Sequence, residues 1–112
     1  MSESKREWLQ RTADMNGVQP QDIQEVAGMF LDDVATLLKV LEMAPQEDDL
    51  CEAIRTAHTL KGLAGTLGQN SISKTSAHLE TQLLNHDLSS YEGELAELTR
   101  ELDCFSELYH MH

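Results

Sequence analysis

A chain of 112 residues can bury one core but is too short for a second, so it reads as one domain spanning 1–112. Eight Lys and Arg against 20 Asp and Glu leave a net charge of -12, which repels nucleic acid and anionic membrane surfaces alike. No apolar run approaches the roughly 18 residues of a membrane span, and "MSESKREW" carries neither an apolar leader nor a cleavage site, so a cytoplasmic protein is expected.

The first element is a helix beginning at Ser4, where Glu7 completes a capping box, and ending near Met15 at an Asn-Gly stop. A second helix opens at Pro20 and runs to about Met43, ahead of Pro45. Ile23, Val26, Ala27, Phe30, Leu31, Val34, Leu37, Leu38 and Leu41 recur along it at helical spacing, and Met29 and Met43 read as core fillers. Gly28 has two readings: it allows close helix packing, or it stands level with Gly62 by antiparallel pairing about residue 45 and widens a surface there.

The third helix is expected from about Gln46 to Leu67, with Leu50, Ile54, Ala57, Leu60, Ala64 and Leu67 facing inward. A fourth runs from around Ser71 to near Asn85 and buries Ile72, Ser76, Leu79 and Leu83. The fifth opens with Ser89 and Glu92 as a second capping box and carries Leu95, Leu98, Leu102, Phe105 and Tyr109 at helical spacing. No alternating run of β-branched or aromatic residues marks a strand. The pattern predicts an all-α, antiparallel up-and-down four-helix bundle, with the short first helix laid across one end and a monomer as the simplest state. Cys51 and Cys104 lack metal-ligand spacing and suit a reducing compartment. Helix rise sets them on the order of 20 Å apart, beyond disulfide reach, as packing residues.

Charge placement says more than its total. Twelve of the 20 acids lie in 1–52 and eight in 80–112, while Ala53 through Leu79 holds none but includes Arg55, Lys61 and Lys74. A neutral-to-basic patch on an acidic chain suits an acidic partner.

Inside that window stands "AHTLKGLAGTLG", residues 57–68. Glycine inside a helix costs about 1 kcal/mol relative to alanine, so Gly62 and Gly65 imply a need for space. His58, with Lys61 and Gly62 three and four positions on, then Gly65 and Gln69, are linked by spacings of three and four and share one face. Gly62 removes the side chain that would crowd the His58 ring. A turn centred near Gln69 sets residue 58 opposite residue 80, the first acid after the gap. Glu80 would then accept one ring N–H of His58, fix its tautomer and leave the other nitrogen nucleophilic. Lys61, one turn away, would stabilise negative charge on whatever bonds to that nitrogen. These groups together suggest a histidine that carries a phosphoryl group.

"AHTLKGLAGTLG", followed by "ISKTSAHLE" and preceded by "MFLDDVATLLKVL", resembles the signature of histidine-containing phosphotransfer (HPt) domains of bacterial and fungal phosphorelays. The resemblance covers the second to fourth helices, and the fifth by pattern alone. It implies that His58 is phosphorylated, that Lys61 assists the phosphoryl group, that Gly62 clears room for a receiver domain, and that Glu80 hydrogen-bonds the histidine. "LAGT" at 63–66 departs from the serine-rich spacing common in the family, and Gly65 is an additional glycine.

In such a relay a receiver aspartate of a hybrid sensor kinase gives its phosphoryl group to the histidine, which passes it to the receiver of a response regulator. The receiver's acidic pocket would supply Mg²⁺, and no cofactor is expected on this chain. Gly62, Gly65, Arg55, Gln69 and Lys74 would form the docking face. A histidine kinase with its own ATP-binding domain does not fit 112 residues and no P-loop is present, so a carrier is expected rather than an enzyme. An interaction module that sequesters a receiver without accepting phosphate is the alternative. His78, His86, His110 and His112 gain no comparable neighbours, and no HExxH or Cys-His pairing points to a metal.

Overall fold

The computed structural model describes residues 3–112; Met1 and Ser2, where the segment read above for a leader begins, lie outside the described residues. Five helices follow one another: α1 (Lys5–Asn16), α2 (Pro20–Met43), α3 (Cys51–Thr66), α4 (Asn70–Leu84) and α5 (Tyr91–Tyr109), with a 3₁₀ turn at Ala44–Gln46. Among the described residues there is no strand. Packing of α2 on α3 and α5, and of α4 on α3 and α5, closes an all-α four-helix bundle. Short connections alternate the helix directions.

Local chemistry sets the helix ends. Ser4 Oγ accepts the Glu7 N–H and Glu7 Oε1 accepts the Ser4 N–H, each at 3.1 Å, which is the expected capping box of α1. Gly17 ends α1 in the left-handed region, at φ 68°. Pro20 opens α2 as anticipated, and Asp22 Oδ2 accepts the Gln19 N–H at 3.0 Å ahead of it.

Two starts differ from the sequence reading. The third helix begins at Cys51 rather than near Gln46, because Pro45 sits in the tighter 3₁₀ turn and the Asp49 carboxylate accepts the Cys51 N–H at 2.9 Å. That acid caps the first turn of α3 and complements its dipole. The capping box at Ser89 and Glu92 does not form. Instead the Ser89 N–H and Oγ–H both go to Asp87 Oδ1, at 3.3 and 2.8 Å, and α5 starts two residues later.

The core is built of small and medium side chains stacked on Trp8, Tyr91 and Phe105, with Leu60, Leu67, Leu79, Leu83 and Leu98 fully buried. Trp8 meets Phe105 edge to face at 5.1 Å, and its Nε1–H donates to the Leu67 carbonyl at 2.6 Å. Arg11 and Asn16 donate to the carbonyls of Gly68 and Thr66, so α1 closes the bundle end where α3 turns into α4.

Several expected core positions lie elsewhere. Met29 and Met43 are 67% and 47% exposed, not core fillers, and Val26 is also exposed. Ile54 is only half-buried while Ala53 and Thr56 are buried in its place, and Leu95 and Tyr109 are half-buried. Both cysteines are free thiols at the surface rather than packing residues. The helical period locates a stripe but leaves its angular centre uncertain by one residue, which suffices to turn a methionine outward. No helix of the described residues is long and apolar enough to cross a membrane.

Candidate functional site

Site geometry begins at the α3–α4 turn. Gly68 takes the left-handed conformation at φ 68°, and the Gln69 N–H returns to the Ala64 carbonyl at 2.8 Å, so the chain reverses tightly and lays α4 along α3. Ser73 Oγ–H then donates to the Lys61 carbonyl at 2.9 Å and pins the two helices together. In that register residue 58 falls beside residue 80, as the sequence pairing required.

His58 occupies the middle of α3 with its side chain 66% exposed. Its Nδ1 stands 2.8 Å from Glu80 Oε2, and Lys61 Nζ donates to Glu80 Oε1, also at 2.8 Å. One carboxylate thus takes two donors, one on each oxygen. The Lys61 ammonium, ahead of the His58 N–H, holds the Glu80 carboxyl below the usual carboxylate range against the opposing effect of partial burial. An ionised carboxylate only accepts, so the ring proton belongs on Nδ1, and in the neutral ring Nε2 carries the free lone pair. Nδ1 being occupied by Glu80, Nε2 is left as the unpaired nitrogen of an exposed ring, free to act as a nucleophile.

The neighbouring glycines divide. A Cβ on Gly62 would meet nothing within 4 Å, so the helix surface one turn beyond His58 is open. On Gly65 it would meet Ser73 Oγ at 3.7 Å, an ordinary contact, so that glycine lies against α4. Gly28 faces neither: its Cβ would come within 2.6 Å of Tyr109 Oη, which selects the close-packing reading and sets aside the shared surface with Gly62. The seven-residue excursion from Ala44 to Leu50 moves the α2–α3 pairing away from residue 45.

The remaining candidates are not all gathered at His58. Arg55 is exposed one turn before His58 on the same helix. Gln69 is half-buried in the turn, about 16 Å along the helix axis from His58 at 1.5 Å per residue. Lys74 is exposed on α4 but about 120° around that helix from Glu80, outside the cluster. Ser73 is a support that the sequence pattern does not mark: the register that pairs 58 with 80 sets 73 opposite 65, and its hydroxyl reaches one turn back to the Lys61 carbonyl. Exposed His78 stands 3.7 Å from Glu94 on α5, a partner the sequence reading did not foresee. Among the described residues no three His, Cys, Asp or Glu side chains cluster as a metal ion would require.

The family model for the Hpt domain matches residues 25–107, from the second turn of α2 into the last turns of α5. No solved structure matches the chain significantly.

Proposed function

The chain belongs to the Hpt domain family of phosphotransfer carriers, and on that premise we propose that His58 accepts a phosphoryl group from a receiver aspartate of a hybrid sensor kinase and passes it to the receiver of a response regulator. The observation that carries this reading is an imidazole 66% exposed, tied through Nδ1 to Glu80 and presented beside the open backbone of Gly62.

Chemically the step is an in-line displacement. The Nε2 lone pair attacks phosphorus as the P–O bond to the receiver aspartate breaks, and its electron pair returns to the carboxylate. Little covalent chemistry falls to this chain, whose part is positioning and charge neutralisation. Glu80 fixes the tautomer, Lys61 supplies positive charge beside the incoming group, and the open surface at Gly62 admits a partner's backbone. Arg55 and Lys61, in a stretch from Ala53 to Leu79 that holds no acid, favour a partner whose pocket is acidic, and that pocket would bring the Mg²⁺. Two exposed free thiols fit a reducing compartment, so we place this carrier in the cytoplasm, acting as a monomer without catalytic turnover of its own.

Incubation with a phosphorylated receiver tests the reading. An acid-labile, base-stable label is expected on the wild-type chain and none on His58→Gln. Label that survives the substitution overturns the assignment, and stable receiver binding without label favours sequestration.

A further inference from the structure

An open groove of about 510 Å³ runs between the second half of α2 and the first turn of α3. It lies on the flank of α3 that faces α2, whereas Glu80 approaches His58 from α4. Val40, Met43, Ala44 and Ala53 make its floor. Ala44 and Ala53 are buried there but end at a methyl, and Met43 leaves 47% of its surface to solvent, so apolar area lies bare. Glu47, Asp49 and Glu52 form the rim, and Lys39 is the cation that lines it.

The charge around this groove is one-sided. From Val40 to Ile54 the chain carries Glu42, Glu47, Asp48, Asp49 and Glu52 and no Lys, Arg or His. Among the described residues none of these acids forms an ion pair. Two of them have local duties, since Asp49 accepts the Cys51 N–H and Glu52 lies in the first turn of α3, both at the positive end of that helix. Glu42 stands in the opposite relation: it lies in the last turn of α2, at the negative end of the dipole, and no basic residue there offsets it. Like charges gathered beside bare apolar surface repel one another, and a cationic occupant relieves them.

We propose that this groove docks a basic amphipathic helix of a partner protein, with apolar residues at i, i+3 and i+4 on the floor and lysine or arginine over the acidic rim. Shape and charge select that occupant together. An open trough between two helices lacks the enclosing walls of a small-molecule pocket, and its acids repel nucleic acid and anionic lipid. Thr36 to Met43 covers about 11 Å of α2, enough to seat about two turns of a second helix. The N-terminal end of that helix, positive by its dipole, belongs over Glu47 and Glu52, and its C-terminal end over Lys39. Glu52 precedes His58 by about 9 Å along α3, so the groove and the imidazole are separate sites on one helix.

A fluorescein-labelled amphipathic peptide of about 14 residues, leucine on one face and lysine on the other, is the probe. Fluorescence anisotropy at about 0.15 M salt measures its binding to the full chain. Saturable one-to-one binding is expected, with amide ¹H–¹⁵N shift changes concentrated in residues 35–53. Joint Glu47→Gln and Glu52→Gln substitution should weaken it about tenfold, as should Met43→Ser, whose side chain is already exposed and whose fold circular dichroism checks. Glu25→Gln with Glu107→Gln removes the same charge at the other end of the bundle and should change affinity less than about twofold. Phosphoramidate, a small donor that labels histidine without a receiver, should label His58 equally with the peptide bound. An equal loss in the two charge-matched pairs, or unchanged affinity in Met43→Ser, overturns the inference, because the peptide would then answer only to net charge. So does a shift pattern spread over the whole surface. Neither result touches the carrier role of His58, which the labelling reads separately.

Discussion

A Cβ placed on Gly28 would stand 2.6 Å from the hydroxyl oxygen of Tyr109 and 3.4 Å from the ring carbon that bears it, so the mid-helix glycine of α2 is a seat for a tyrosine of α5. Lys5 Nζ lies 5.0 Å from the centre of the same ring, which ties α1 into the contact. Gly62, equally mid-helix, meets nothing within 4 Å. One residue type thus serves two ends, close packing at one site and an open surface at the other, and substitution separates them.

At Gly28, alanine should recover about 1 kcal/mol of helix propensity only if the tyrosine yields. Gly28→Ala is expected to leave stability unchanged or lower it by up to about 1 kcal/mol in the wild-type background. In Tyr109→Phe the same change should stabilise by about 0.5–1 kcal/mol. Urea denaturation of the four proteins gives the coupling directly, and a coupling of zero would show that Tyr109 does not dictate the glycine.

At Gly62 the open space predicts the opposite pattern. Gly62→Ala should raise stability by about 1 kcal/mol, since the added methyl meets no neighbour. Gly62→Leu should also fold, yet slow transfer from a phosphorylated receiver by about tenfold or more, because misplacing the partner by about 1 Å is already costly to an in-line reaction. Labelling by phosphoramidate, which needs no docked domain, should persist in both. Unimpaired receiver transfer in Gly62→Leu would mean that no partner approaches over this part of α3.

The closed end of the bundle supplies a contrast. Trp8 is completely buried, and its Nε1–H is the donor to the Leu67 carbonyl. Trp8→Phe strands that acceptor and leaves a small void, so a loss of about 2–3 kcal/mol is expected in urea unfolding followed by circular dichroism. His58 lies well along α3 from this contact, so phosphoramidate labelling of the folded variant should match wild type. A variant that keeps its stability would show that the bond to Leu67 adds nothing.

Much of this architecture was legible because the deciding interactions are local. Ser4 with Glu7, Asn16-Gly17 and Pro20 each announce a helix boundary through a contact a few residues away, and each boundary lies within a residue of its expected place. The pairing of His58 with Glu80 was also readable, since a tight hairpin converts sequence distance into register. What escaped depended on competition or on neighbours distant in sequence. Ser89 offered a cap, but the nearer Asp87 took both of its donors. Met29 and Met43 fit a helical period, and only the placement of the other helices decides that they face outward. The role of Gly28 was open for the same reason, because Tyr109 lies 81 positions further on. That Lys61 shares the Glu80 carboxylate was equally beyond a reading of α3 alone.

Tyr91 gives the fold a weakness at high pH. Its ring is 1% exposed, its hydroxyl donates to the Leu41 carbonyl at 2.7 Å, and burial pushes its phenol up to about 12 from an ordinary value of 10.0. Because the folded value is raised, the native state keeps a proton that the unfolded chain releases, and the resulting stabilisation is complete below about pH 10 and lost as pH climbs toward about 12. Two units correspond to about 2–3 kcal/mol over that window. Tyr91→Phe forfeits the hydrogen bond, at a cost of about 1 kcal/mol at neutral pH, but has no proton there to lose. The two proteins should therefore differ in favour of wild type at neutral pH, and the order should reverse above about pH 11. Lysines titrate in both chains alike, so the difference between urea midpoints isolates the tyrosine. A difference that stays constant with pH would mean that the phenol ionises in place without strain on the fold.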